Sequence, residues 1–140
     1  MSVDFFLDTN VIVYCFDSAA PAKADTSRAL IAQSLREGRA AISWQVVQEF
    51  CNVALKKFSV PMSVLECDSY LHKVLFPLCH VWPSESVYAK ALELSRETGY
   101  SYYDCLILAA ALESGAGTLL TEDLQDGQKV RSLEIRNPFA

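Results

Sequence analysis

Acidic side chains in apolar surroundings are the residues of this sequence with the clearest chemical potential. Asp8 interrupts the apolar stretch FFLDTNVIVY at residues 5–14. Asp104 is the only charged residue between Gly99 and Leu112, and apolar residues follow it. Burying a bare carboxylate costs free energy, so such groups take up a proton, pair with a cation or bind a metal. Both positions therefore need an explanation beyond packing.

Each of the two carboxylates also has a structural explanation. Asp8, or one of the two polar residues after it, can cap a helix that begins near Val11 by accepting a free backbone N–H. Ser101-x-x-Asp104 matches a capping box, which places Asp104 near the positive end of a helix. Capping and metal binding are compatible, because a helix start leaves one carboxylate oxygen free.

Further acids occur in two other places. Glu49 lies roughly opposite the apolar stripe formed by Val47, Phe50 and Ala54, and this geometry favours a surface glutamate. The segment TEDLQDG at 121–127 carries three acids and has the composition of a loop. Neither place is informative in isolation.

The elements that must position these acids alternate between strands and helices. Short apolar runs predict strands at 3–7, 39–43, 79–83, 117–121 and 133–136. Apolar residues at helical spacing predict helices at 24–38, 44–58, 63–75, 84–99 and 103–115. This alternation predicts an α/β fold with a mainly parallel central sheet flanked by helices.

The predicted sheet gives the acids a common location. Ligands of parallel sheets gather at the carboxyl ends of the strands. Asp8 follows the first predicted strand, and Glu122, Asp123 and Asp126 follow the strand at 117–121. Carboxylates that converge there repel one another by about 4 kcal/mol per close pair at an effective dielectric of 20. A hard divalent cation such as Mg²⁺ relieves that repulsion, and such a site suits phosphodiester hydrolysis.

Composition bounds the remaining possibilities. The 140 residues contain no repeat or linker, which predicts one domain over 1–140. The net charge of −5 excludes a general attraction for nucleic acid. No apolar run approaches the ~20 residues of a membrane span, and no export signal is evident, so we expect a cytoplasmic protein.

The five cysteines form no C-x-x-C pair, which favours small core residues in a reducing compartment. No phosphate-binding glycine loop, H-E-x-x-H motif or G-x-S-x-G motif is present.

Four segments, taken together, resemble the PIN domain family, and more narrowly the VapC-type toxins of bacterial type II toxin–antitoxin pairs. They cover nearly the whole chain in the order expected of the family. The segments are FFLDTNVIVY, SWQVVQEF, GYSYYDCLILAAALESG and TLLTEDLQDGQ.

The resemblance implies an endoribonuclease that hydrolyses RNA with Mg²⁺, or Mn²⁺ as the alternative. It matches the catalytic metal ligands of the family to Asp8, Glu49 and Asp104. For the fourth acid Glu122, Asp123 and Asp126 compete, and we choose Asp123 because it stands two residues past Thr121. Asn10 and Thr121 would lie at the rim of the pocket as polar supporting groups. The resemblance also implies a homodimer and a small antitoxin whose tail obstructs the acidic pocket.

Two alternatives come from other functional classes. The first is a PIN-like module that binds RNA or a protein without cutting. The second is a phosphotransfer enzyme in which Asp8 is the nucleophile. The haloacid dehalogenase pattern needs a second aspartate two positions further on, where this sequence has Asn10.

Overall fold

The computed structural model describes residues 2–140, which form a six-stranded sheet packed against helices. The elements in chain order are β1 (Phe5–Leu7), α1 (Thr9–Val13), a 3₁₀ turn (Tyr14–Phe16), α2 (Pro21–Glu37), β2 (Ala40–Ser43), α3 (Trp44–Lys56), α4 (Val64–Tyr70), a π-helical turn (Leu71–Leu75), α5 (Phe76–Leu78), β3 (Cys79–Val81), α6 (Glu85–Thr98), α7 (Tyr102–Glu113), β4 (Thr118–Leu120), β5 (Lys129–Val130) and β6 (Leu133–Arg136).

The strand order is β3-β2-β1-β4-β6-β5, and only the β5–β6 pair of these six strands is antiparallel. The predicted α/β fold with a mainly parallel sheet is therefore confirmed. Each strand predicted from an apolar run is present; β6 spans its whole run, and the other four are shorter than theirs. The sequence did not predict β5, because its two residues are too few to show an alternating pattern.

The predicted helices are also present. α2 and α6 end where the sequence indicates, at Gly38 and Gly99, and both glycines adopt the left-handed conformation with φ of 69° and 76°. The helix predicted at 63–75 runs further, through the π-helical turn and α5 to Leu78. Pro77 lies in the last turn of this helix, just after the π-helical turn, where the regular helical hydrogen-bond pattern is already interrupted.

One core cluster holds these elements together, and α7 contributes an unbroken buried run from Cys105 to Ala111. At the carboxyl edge of the sheet, Leu7 of β1 pairs with Leu120 of β4, and the N–H of Asp8 donates to the carbonyl of Leu120 at 3.0 Å. This register places Asp8 beside Thr121. Within residues 2–140, no helix combines the length and the apolar character that crossing a bilayer requires.

Candidate active site

Asp8 lies immediately after β1 and caps α1. Its Oδ1 accepts the N–H of Thr9 at 2.7 Å, and its Oδ2 accepts the hydroxyl of Thr121 at 2.8 Å. The residue is only 8% exposed. Asp8 is therefore a helix cap, as one sequence interpretation held, and it is also a buried anion at the carboxyl edge of the sheet.

The environment of Asp8 raises the pKa of its carboxyl to about 6. Burial is the main cause, because it penalises the charged form. The hydrogen bonds from Thr121 and Thr9 oppose the rise, whereas the negative charges of Asp123 and Glu49 add to it. These two charges belong to acids that are far from Asp8 in the chain, so folding brings the three carboxylates into the same region of the molecule.

Glu49 reaches this edge from α3. The hydroxyl of Thr9 donates to its Oε1 at 2.5 Å, which connects it to the residue next to Asp8. Glu49 is half-buried. The expectation from helical geometry that Glu49 is a surface residue is wrong. Helix α1 packs against α3 and covers the face of α3 that carries Glu49.

Thr121 and Asn10 join Asp123 to Asp8. The Thr121 hydroxyl, which is fully buried, donates to Asp8 and accepts the N–H of Asp123 at 3.1 Å. The Asn10 amide donates to Oδ2 of Asp123 at 3.0 Å and to the Thr121 hydroxyl at 3.3 Å. Asn10 and Thr121 therefore hold the loop after β4 against the start of α1.

The three acids of that loop have different partners. Glu122 pairs with Nζ of Lys23 at 2.5 Å and accepts the hydroxyl of Tyr14 at 2.5 Å. Asp126 accepts the N–H of Asn137 at 2.8 Å. Of the three, Asp123 is the one whose carboxylate is bonded to the residues around Asp8.

Asp104 lies in the first turn of α7, where its N–H donates to the hydroxyl of Ser101 at 3.3 Å. In residues 2–140, only this half of the capping box is formed, so the Asp104 carboxylate does not bond back to the Ser101 N–H. Within the same range, the carboxylate makes no hydrogen bond or ion pair with Asp8, Glu49 or Asp123. The structure therefore brings Asp8, Glu49 and Asp123 into one hydrogen-bond network and leaves Asp104 outside it.

Gln45 is a residue of this region that the sequence reasoning missed. It is 5% exposed, and its Nε2 donates to the carbonyl of Tyr103 at 3.2 Å and to Oε2 of Glu49 at 3.4 Å. This amide links Glu49 to the turn that carries Asp104. A polar residue four positions before Glu49, on the same helix face, is the sequence signal that would have indicated it.

The donor set suits a hard cation, because it consists of carboxylate, hydroxyl and amide oxygens without nitrogen or sulfur ligands. In residues 2–140, no lysine, arginine or histidine forms an ion pair with Asp8, Glu49, Asp104 or Asp123. No three histidine, cysteine or acidic side chains in those residues converge closely enough to hold a metal in the described conformation.

Removal of the Thr121 hydroxyl is expected to destabilise this network. Thr121→Val keeps the shape but leaves Oδ2 of Asp8 and the N–H of Asp123 without a partner, and it removes one of the two bonds that the Asn10 amide donates. We expect the free energy of unfolding in urea to fall by about 2 kcal/mol, the usual cost of orphaning buried polar groups. Thr118→Val, at the first position of β4 and outside the network, is the control. An equal effect of both variants would contradict the role assigned to the hydroxyl.

Comparison with known proteins gives a family match and several similar folds. A family model described as the PIN domain matches residues 5–128. The chain is similar to a toxin–antitoxin complex from Klebsiella pneumoniae, with a TM-score of 0.69 and 17% identity over 96% of this chain and 98% of that chain. It is similar to VapBC2 from Rickettsia felis bound to a promoter DNA fragment, with a TM-score of 0.67 and 20% identity over the same shares of each chain.

A third similar structure is VapC20 from Mycobacterium tuberculosis, which is described as a toxin that cleaves the sarcin–ricin loop. The TM-score is 0.58 and the identity 16%, over 86% of this chain and 90% of that chain. At these identities the likeness shows a shared fold. No curated protein sequence matches the chain.

Proposed function

Because this chain belongs to the PIN domain family, we propose that it is a metal-dependent endoribonuclease and the toxin of a toxin–antitoxin pair. The observation that carries the proposal is the buried Asp8 carboxylate, which has two acidic neighbours and no cationic partner in residues 2–140. The activity proposed is hydrolysis of an RNA phosphodiester bond. VapC20, a similar fold, is described as a toxin that cleaves the sarcin–ricin loop.

The residues proposed to hold a divalent cation, Mg²⁺ or Mn²⁺, are Asp8, Glu49, Asp104 and Asp123. When bound, such an ion would activate a water molecule and offset negative charge on the scissile phosphate. PIN nucleases in general use divalent metal ions, which favours this assignment.

The protein's own contribution is to orient these carboxylates by hydrogen bonds and to bury Asp8. The Thr121 hydroxyl orients one oxygen of Asp8 and the N–H of Thr9 orients the other. Thr9 orients Glu49, and Asn10 orients Asp123. Each carboxylate oxygen has two lone pairs, so these hydrogen bonds leave acceptor capacity for a cation. Burial around Asp8 also strengthens its electrostatic attraction for the ion.

A cleavage assay with and without metal tests the proposal. Purified protein is incubated above pH 6 with a single-stranded RNA in Mg²⁺, in Mn²⁺, and in EDTA. We expect shortened RNA with either metal and intact RNA in EDTA, with cleavage restored when excess Mn²⁺ is added back. Cleavage that persists in EDTA would contradict the metal requirement.

The same assay addresses a second candidate, a PIN-like module that binds RNA or protein without cutting. The wide spacing of the carboxylates is the observation that favours it. RNA that is retained by the protein but keeps its length in Mg²⁺ and Mn²⁺ would support this candidate and end the nuclease proposal.

We further propose that the protein is a cytoplasmic homodimer that binds a small antitoxin. Two of the similar structures are described as containing toxin–antitoxin or VapBC assemblies, and they match nearly the full length of this chain. An RNA substrate would be met in the cytoplasm, where a reducing environment would keep the five free cysteines unpaired.

A further inference from the structure

Gln45 is a buried polar residue that links two of the elements carrying the acids. It occupies the second position of α3, four residues before Glu49, and is 5% exposed. Both of its hydrogen-bond partners, the carbonyl of Tyr103 and Oε2 of Glu49, are acceptors. The amide orientation is therefore fixed, because only the NH₂ group can face them.

The two bonds connect α3 to the first turn of α7. The Tyr103 carbonyl belongs to the residue directly before Asp104, so the amide ties Glu49 to the backbone that carries Asp104. Glu49 is held from the other side by the Thr9 hydroxyl on its Oε1. Gln45 is the one side chain in residues 2–140 that is hydrogen-bonded to both Glu49 and the turn of Asp104.

We propose that Gln45 is a positioning residue that sets the distance between Glu49 and Asp104 and thereby the affinity of the site for a divalent cation. This inference depends on the proposed function. Gln45 acts through Glu49 and the α7 backbone and is not itself a ligand. Groups that orient metal ligands in this way affect metal affinity, typically by about 10- to 100-fold when they are removed.

Packing alone does not account for an amide at this position. The Oε1 atom of Gln45 is buried and accepts no hydrogen bond from residues 2–140. A buried oxygen without a donor costs free energy, which an apolar side chain of the same size would avoid. The two hydrogen bonds that Gln45 donates are thus what glutamine provides at this position and what methionine, an apolar side chain of similar size, would not provide.

The test compares Gln45→Met with Gln48→Met, which makes the same change at an exposed position of the same helix. Mn²⁺ binding to the full chain is measured by calorimetry above pH 6. We expect Gln45→Met to weaken Mn²⁺ binding by at least about 10-fold and Gln48→Met to leave it within twofold of the wild type. In a Glu49→Gln background, Gln45→Met should cause little further loss, because Gln45 acts on that carboxylate.

Several outcomes overturn the inference. A Gln45→Met protein with a lowered melting temperature and unchanged Mn²⁺ affinity would show that the role is only structural, and the nuclease proposal would stand. Wild-type protein that binds no Mn²⁺ would overturn both proposals.

If Gln45→Met does not fold, wild-type protein titrated with Mg²⁺ is followed by NMR. We expect the side-chain amide of Gln45 to shift and that of Gln48 to stay in place. An unshifted Gln45 amide in a protein that binds Mg²⁺ would overturn the inference.

Discussion

Replacement of Asp8 by asparagine is expected to abolish RNA cleavage and to make the metal-free protein more stable. Asparagine caps a helix about as well as aspartate but offers no anionic oxygen. We expect activity to fall by at least about 100- to 1000-fold, the scale seen when one electrostatic contribution is removed from an active site. The measurement is cleavage of a single-stranded RNA in Mg²⁺ and in Mn²⁺.

The gain in stability follows from the pKa of the Asp8 carboxyl, which folding raises from 3.8 to about 6. The folded protein therefore binds more protons than the unfolded chain between these values. The contribution of this carboxyl to stability is greatest below pH 3.8 and decreases as the pH rises through 6, by about 3 kcal/mol in total. Asp8→Asn removes this loss, although asparagine accepts the Thr121 hydroxyl less well. We expect a net gain of about 1–2 kcal/mol at pH 8, or about 3–6 °C in melting temperature.

Asp17→Asn is the matched control, because Asp17 also accepts a backbone N–H, that of Ala19 at 2.9 Å, but lies outside the acidic network. It should retain activity and show no gain in stability. An Asp8→Asn protein that still cleaves RNA at the wild-type rate would support a capping role alone, because asparagine preserves the cap.

Asp104→Asn is expected to remove activity without changing stability. The side chain is half-exposed, and its helix-start bond uses the backbone N–H and the Ser101 hydroxyl, which the substitution preserves. Loss of a charge near a helix N-terminus costs about 0.3–1 kcal/mol. We expect a drop in RNA cleavage comparable to that of Asp8→Asn and a melting temperature within about 3 °C of the wild type.

Glu85→Gln makes the equivalent change in the first turn of α6, away from the acidic site, and is expected to retain activity. This comparison is informative because Asp104 lies outside the described hydrogen-bond network. If Asp104→Asn cleaves RNA as fast as Glu85→Gln does, Asp104 is not a ligand, and the site consists of Asp8, Glu49 and Asp123.

The choice of a fourth acid illustrates how far sequence reasoning extends. The sequence places Glu122, Asp123 and Asp126 after the β4 strand and gives no physical reason to separate them. In the structure, Lys23 and Tyr14 engage Glu122, and Asn137 engages Asp126. These partners come from distant segments, so their identity depends on the packing of α2 and of the C-terminal residues against the loop.

The sequence by itself determined the alternation of strands and helices, the glycine ends of α2 and α6, and the presence of Asp8 at the end of the first strand. Local patterns suffice for these features, because helix and strand periodicity, turn residues and caps act over only a few neighbouring positions. The tertiary structure alone decided that Glu49 faces Thr9, that Thr121 bonds Asp8, and that Gln45 links α3 to α7. Such contacts join residues 40 to 113 positions apart, and their geometry depends on strand register and helix packing, which short-range patterns do not encode.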